Sequence, residues 1–578
     1  MKQFFKFVFA TIVGLILFSF ISFFFLLAGI AMMIPTPEPI KENSVLHLRL
    51  EGDLIERSKE DLLTLLVSEE TPSIGLDDIL ASIKAAKENP NIKGIYLNPG
   101  LFRAGYASLN EIRTALIDFR ESGKFIFAYS GNYTQSAYYL CSVANMFCLN
   151  KEGMVDFRGI ASSSLFFKNL LEKIGVEMQI VKVGTHKSFT EQFTNEKMSE
   201  ANREQMSLLT QTIWDNILQD ISTDRKTVSK NNLIKAAEKF LTFQSAEKVL
   251  EMKMVDSLIY PSQVEYILNG YLETDRDAKV SFVKPSDLID SKLDVSTSDS
   301  GNKIAVVYAV GEIDNGNTDG IQTGKLFRLL QSLKKDASVK AVVLRVNSPG
   351  GSAYGSEQIW HAISLLKESK PVIVSMGDYA ASGGYYIACN ATKIVANPNT
   401  ITGSIGIFGV IPNAEGLMHK IGISHDVVKT NEFADMPTIY RAMTDDERGI
   451  IQQHVNRGYD LFLRRCAEGR NLPLDFIAKI AEGRVWTGSS ALDLELVDKL
   501  GTLQDAIQLA AEEANLTSYD IEKYPEKENW FTQLRKLPQS GMEKLFFQNI
   551  LTEERAILNK LYKIDHLQAA LPFDVKVE

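Results

Sequence analysis

The chain carries the same order of segments twice, and that constrains its fold more than any other feature. Residues 91–100, Asn-Ile-Lys-Gly-Ile-Tyr-Leu-Asn-Pro-Gly, return as residues 339–350, Val-Lys-Ala-Val-Val-Leu-Arg-Val-Asn-Ser-Pro-Gly. Lys124–Leu149 runs parallel to Lys370–Val395, Met198–Arg203 to Met443–Arg448, and Met254–Asp256 to Leu496–Asp498. These last three matches stand 246, 245 and 242 residues apart, in the same order. A duplicated unit accounts for them.

Each copy alternates short β-branched runs with helical spacing. Ile304–Tyr308, Ala341–Leu344 and Val372–Ser375 read as buried parallel strands, while Gly355–Leu366 and Asp445–Cys466 carry helical periodicity. The expectation is an α/β fold of two tandem domains built from βαβ units. Their bounds are 44–275 and 302–535, joined by a linker rich in Asp, Ser and Lys and followed by a charged, leucine-rich helical tail over 536–578. A length of 578 residues, 45% apolar and 23% charged, suits such a multidomain globular chain.

Ahead of the first copy, residues 1–35 read as a membrane anchor. Lys2 and Lys6 precede Phe7–Ile34, 28 residues without a charge, which as a helix would reach about 42 Å and span a bilayer with tilt. The run is too long for the core of a cleavable signal peptide. The lysines before it favour a cytoplasmic N-terminus, with the rest of the chain on the outer face. A net charge of −10 argues against a nucleic-acid partner. Cys141, Cys148, Cys389 and Cys466 fit neither CxxC spacing nor a disulfide framework. They read as buried thiols with no metal site, a Cys141–Cys148 bridge being the open alternative.

Two turns draw the chemistry together. In Asn347-Ser-Pro-Gly-Gly-Ser352, Gly350 and Gly351 follow a strand and can expose backbone N–H groups of the kind that stabilise an oxyanion; an ordinary Pro-Gly turn is spelled the same way. In Ala-Ala-Ser-Gly-Gly (380–384), small residues including Gly383 would let a peptide approach the Ser382 hydroxyl, and again a tight turn is the plain alternative. Two such turns at successive strand ends would meet at one sheet edge. None of the seven histidines has a recognisable triad setting. A lysine kept neutral by burial is the other known base for a serine. Lys187 is one candidate, which these residues alone do not single out.

The motifs Asn-Ser-Pro-Gly-Gly-Ser (347–352), Ala-Ser-Gly-Gly-Tyr-Tyr (381–386), Thr-Gly-Ser-Ile-Gly (402–406) and Gly-Thr-His-Lys-Ser (184–188) resemble the signal peptide peptidase A, or protease IV, family of the long duplicated type. The resemblance covers nearly the whole chain. It implies two tandem Clp protease/crotonase-like domains behind a single transmembrane helix, and a Ser/Lys dyad. Ser382 would be the nucleophile and Lys187 the general base. Ser404 would be a partner of the lysine amine, and Gly350 and Gly351 would make the oxyanion hole. It further implies cleavage of signal peptides left in the membrane after export, by a homotetrameric bowl on the periplasmic side of the bacterial inner membrane, with residues 7–34 in the lipid.

Comparison of the copies bears on this assignment. Sliding Lys182 onto Lys429 puts Ala434 opposite Lys187. Ser136 stands opposite Ser382, but Ala137 and Tyr138 follow it where the second copy has Gly383 and Gly384, and Asn98-Pro-Gly-Leu-Phe102 lacks the second glycine. Each copy is incomplete, so one site needs both. Ser136 and Lys187, 51 residues apart, would make an alternative dyad within the first copy. The expected reaction is acyl transfer to Ser382 with no metal or nucleotide cofactor. The rivals are a crotonase-like acyl-CoA enzyme, which also uses paired amides, and a non-catalytic scaffold that binds membrane partners.

Overall fold

A computed structural model describes residues 2–33, 39–58, 74–290, 301–314, 320–526 and 567–570. The β-branched runs form parallel sheets. The first sheet holds β1 (Ser44–Ile55), β2 (Ile74–Gly75), β3 (Ile92–Arg103), β4 (Phe125–Tyr133) and β5 (Met146–Val155), ordered β2-β1-β3-β4-β5. The strand β6 (Glu177–Lys182) leaves this sheet, β7 (Ser257–Ile259) pairs with β5, and β8 (Phe282–Val283) pairs with β1. The second sheet repeats the plan with β9 (Lys303–Val310), β10 (Val339–Ser348), β12 (Val372–Ala381), β13 (Lys393–Ala396) and β14 (Ile401–Gly403), β10 pairing directly with β12; the short β11 (Gly350–Ser352), which follows β10 in the chain, belongs to another sheet. Its edges are β16 (Val485–Thr487), antiparallel to β14, β17 (Lys499–Leu500) beside β13, and β18 (Asp520–Tyr524) beside β9. Strands covered on both faces must be apolar throughout: Val342, Val343, Leu344, Ile373 and Val374 are all buried.

A third sheet, which the sequence did not foretell, ties the copies together. Its order is β11-β19-β15-β6, where β15 is Phe408–Asn413 and β19 is Leu567–Ala570. β6 from the first copy runs antiparallel to β15 of the second, Glu177 opposite Asn413 through Lys182 opposite Phe408. Val181 thereby enters the core of the second copy, 2% exposed. In return Ala381 and Val485 pack into the first copy's core.

Several expectations meet the structure differently. The stretch read as a linker contains β8 and the helix Pro285–Asp290. Of the tail expected to be helical over 536–578, only 567–570 is described, and it is a strand, because two sheet edges offer it backbone partners. The N-terminal helix Lys2–Met33 exposes Phe7, Phe20 and Phe25. Among the described residues, however, no helix is long and apolar enough to cross a membrane. Cys141, Cys148, Cys389 and Cys466 are free and buried, so no Cys141–Cys148 bridge forms.

Candidate active site

β12 stops at Ala381 because Ser382 turns the chain: it sits at φ 55°, ψ −115°, a conformation that costs a non-glycine residue roughly 1–3 kcal/mol and persists where its surroundings enforce it. The Ser382 N–H donates to the Gly403 carbonyl at 2.8 Å, and the Tyr386 N–H donates to the Ser382 carbonyl at 2.8 Å, opening the helix Gly383–Ala388. The small residues after the serine have a steric reason. A Cβ on Gly384 would stand 2.5 Å from the Ser348 carbonyl oxygen, so only glycine lets this helical turn press against the end of β10, where the second glycine turn begins. There Gly351 has φ 147°, and a Cβ would fall 2.3 Å from the Ile313 carbonyl oxygen. The Gly350 N–H is directed at Ser348 Oγ, 3.2 Å away.

Lys187 reaches this place from the first copy, on the loop that leaves β6. The loop is threaded through a gap of glycines. Gly184, at φ 102°, lies against Glu482, whose carbonyl accepts the His186 N–H at 2.9 Å. Gly483 and Gly406 leave room for the lysine, a Cβ at 406 lying 3.4 Å from Lys187 Cδ. The side chain is wholly buried. Its Nζ is 2.7 Å from Ser382 Oγ, 3.0 Å from Ser404 Oγ and 3.1 Å from the Ser404 carbonyl oxygen. Burial pushes its pKa well below the usual 10.5, and these three oxygens include no carboxylate that would restore the charge. A neutral amine has two N–H donors and one lone pair. The two Ser404 oxygens suit the donors, which leaves the lone pair to face the Ser382 hydroxyl.

The structure thus brings Ser382, Lys187 and Ser404 together within one chain and sets Gly350, Gly351 and Gly383 around them. Ser136 stands elsewhere, buried in the first turn of the helix Gln135–Cys141. Beside the serine, β19 lies between two edges: Gly350 pairs with Ala570 and Gly351 with Ala569 on one side, Phe408 with Gln568 on the other.

Three polar groups behind the site escaped the sequence reading. Arg345 on β10 is fully buried and donates from Nε to Glu56 at 3.0 Å and from Nη1 to Glu111 at 2.6 Å, both from the first copy. Burial opposes its charge, yet the two carboxylates outweigh that and hold its pKa above the ordinary value. Burial raises the pKa of Glu111, which Arg345 partly offsets. Asn347 of the glycine motif donates from Nδ2 to Glu56 at 2.8 Å and accepts the Tyr379 N–H at 3.1 Å, linking the first copy to β12, which ends at Ala381 just before Ser382. Asp378 accepts the Ser108 N–H at 3.0 Å, and burial raises its pKa. A Cβ on Gly105 would lie 2.0 Å from its Oδ1.

Known proteins resemble this chain along most of its length. The model of peptidase family S49 matches residues 118–266 and 364–517, one stretch in each copy. Protease 4 of Salmonella typhi is 38% identical over 468 residues, 78% of this chain and 74% of its own. Protease 4 of Haemophilus influenzae is 35% identical over 82% of this chain and 80% of its own. The serine protease SPPA, chloroplastic, of Arabidopsis thaliana is 30% identical over 82% of this chain and 70% of its own. A solved structure of a ClpP1 mutant from Listeria monocytogenes covers 35% of this chain and 94% of its own at 17% identity, with a TM-score of 0.25, too low to carry an argument. With one match in each copy and relatives of this identity over most of their own length, the chain belongs to peptidase family S49 and is a serine protease.

Proposed function

We propose that the chain is a membrane-anchored endopeptidase in which Lys187 activates Ser382 and one site is made by the two Clp protease/crotonase-like copies, 44–275 and 302–535, together. The observation that carries this reading is the 2.7 Å approach of a wholly buried lysine amine to a serine hydroxyl at a strained strand end.

The lysine, uncharged because it is desolvated, takes the proton from Ser382 Oγ as that oxygen bonds to the scissile carbonyl carbon. The negative charge that develops on the carbonyl oxygen needs preorganised donors. Because the Gly350 N–H already meets Ser348 Oγ, the N–H groups of Gly351 and of Gly383, next after the nucleophile, are the donors, and Gly350 shapes the turn. The tetrahedral adduct collapses, the C–N bond breaks and the lysine returns its proton to the departing amine. A water molecule, deprotonated by the same lysine, then cleaves the ester and frees Ser382. Ser404 holds the amine in line throughout.

The substrate is an extended peptide laid antiparallel to Gly350–Ser352, in the position that Leu567–Ala570 takes. Signal peptides retained in the bilayer suit this arrangement: the uncharged run of residues 7–34 in the sequence would anchor the chain in the bacterial inner membrane beside them, with both copies on the periplasmic side. The chain works as a homotetramer and needs no metal or nucleotide.

Ser382→Ala and Lys187→Ala should each abolish hydrolysis of a signal-peptide substrate in detergent micelles, and a serine-reactive acylating probe should label Ser382 alone. Ser136→Ala should leave turnover intact. Normal turnover in Lys187→Ala, or a collapse in Ser136→Ala, would overturn the assignment.

A further inference from the structure

Two strands carry the chemistry to one place, and their pairing is broken just before they deliver it. β10 and β12 run in register as far as Val346 opposite Met376 and pair again at Ser348 opposite Ala380, so one residue of β10 spans a gap that three residues of β12 fill. A bulge of this kind re-aims the chain beyond it. Beyond it here lie Gly351 on the β10 arm and Ser382 with Gly383 on the β12 arm. The two oxyanion donors, the N–H groups of Gly351 and Gly383, therefore sit on different arms, and they converge only if the break between the arms is held rigid.

The one residue in the gap is Asn347, and its side chain replaces the missing backbone bonds. Oδ1 accepts the Tyr379 N–H at 3.1 Å, and Nδ2 donates to Glu56 Oε1 at 2.8 Å. Asn347 stands three residues before Gly350 and Tyr379 three before Ser382, so one amide ties the arms at the same remove from their chemistry. Glu56 comes from the first copy, just past the end of β1, and is 6% exposed. Its own carbonyl accepts the Asp77 N–H at 3.2 Å, and its Oε2 accepts Arg345 Nε at 3.0 Å. At Gly377, inside the bulge, a Cβ would lie 2.6 Å from Glu56 Oε1 and 3.0 Å from Asn347 Cγ. The missing side chain there is what admits the carboxylate. In the first copy, β3 and β4 pair Leu97 with Ala128 as β10 and β12 pair Leu344 with Val374. In register, Asn98 and Gly100 thus hold the places of Arg345 and Asn347. Asn98 donates to the Tyr129 carbonyl at 2.9 Å, and Gly100 has no side chain with which to bridge a gap. The clamp is found in the copy that kept the nucleophile and its glycines.

We propose that Glu56 is a positioning residue of the active site: through Asn347 it holds the arm that bears Gly351 in register with the arm that bears Ser382 and Gly383. The inference rests on the peptidase reading and adds that the first copy sets the oxyanion donors as well as supplying the base. Catalytic groups must be held to within about 0.5 Å by neighbours that are themselves fixed, and a buried carboxylate pinned by Arg345 is such a neighbour.

Asn347→Leu removes both amide bonds and leaves the Arg345–Glu56 pair in place. With a signal-peptide substrate in detergent micelles its kcat should fall about 100-fold, the order expected of a displacement of about 1 Å, while KM holds. Exchanging the two groups supplies the rescue. Asn347→Asp alone sets two carboxylates face to face, and Glu56→Gln alone offers one acceptor where two donors arrive, so each should lose kcat. In the double variant the amide at position 56 accepts from Arg345 and donates to the carboxylate at position 347, which still accepts the Tyr379 N–H. Every bond is remade with the charge unchanged, and kcat should return to near the parent's. A merely structural role would lower urea midpoints without separating kcat from KM. Parental kcat in the folded fraction of Asn347→Leu, or a double variant no faster than the slower single, would sink the proposal. Where Ser382→Ala abolishes turnover in the same assay, that result leaves the peptidase reading standing; a parent chain without turnover overturns both.

Discussion

Gly483 stands so close to Lys187 that a Cβ there would lie 2.7 Å from the lysine's own backbone nitrogen. The contact joins the second copy's loop to the base contributed by the first. At φ 80° the position is strained for any side chain as well. Gly483→Ala should therefore push the lysine back from Ser382. A displacement of about 1 Å costs roughly 100-fold, so kcat should fall by that order while KM and the circular dichroism spectrum hold. An unchanged kcat would mean that something else sets the lysine's position.

Lys187 should make activity and stability move with pH in the same direction. Burial depresses its pKa in the folded chain, so the neutral amine forms as pH rises through that lowered value. Log kcat/KM should climb with unit slope and then level off. Between the lowered value and the ordinary 10.5 the unfolded chain holds one proton more than the folded chain at this group. Stability therefore rises with pH across that window, by about 1.4 kcal/mol for each unit of depression. In Lys187→Met this contribution should vanish, which denaturation midpoints at about pH 7 and pH 9 would register.

Arg345 neutralises two carboxylates from the other copy in a site closed to water. Arg345→Met leaves Glu56 and Glu111 buried without their cation and should cost about 3–5 kcal/mol. Adding Glu56→Gln and Glu111→Gln should recover much of that loss. Urea denaturation of the three chains decides it; a single variant as stable as the parent would show the charges to be dispensable.

Leu567–Ala570 lies on the backbone edges proposed for the substrate. A chain ending at residue 566 should bind added peptides more tightly, with KM lowered several-fold and kcat little changed. An unaltered KM would mean that the strand and the substrate do not compete.

The sequence made the α/β character and the doubling legible because both are local or self-similar. β-branched runs and repeated words need no knowledge of distant contacts. Ser382 became legible through its glycines, whose reason is steric and short-range. Lys187 did not: no spacing rule connects residues 195 apart, and only the family resemblance and the missing lysine at Ala434 pointed to it. The groups that bind the copies stayed hidden for the same reason. Arg345 and Glu56 are 289 residues apart, Ser108 and Asp378 are 270 apart, and a buried charge is spelled like an exposed one. The β6–β15 junction was equally invisible, since an edge strand carries no mark of the sheet that will receive it.

The hook formed by β6 also has a hereditary consequence. If one half supplies the base and the other the nucleophile, a gene reduced to either half would encode a protein that cuts nothing, however well it folded. Selection would then act on the joint, and the doubled gene could no longer shed the copy that made it double.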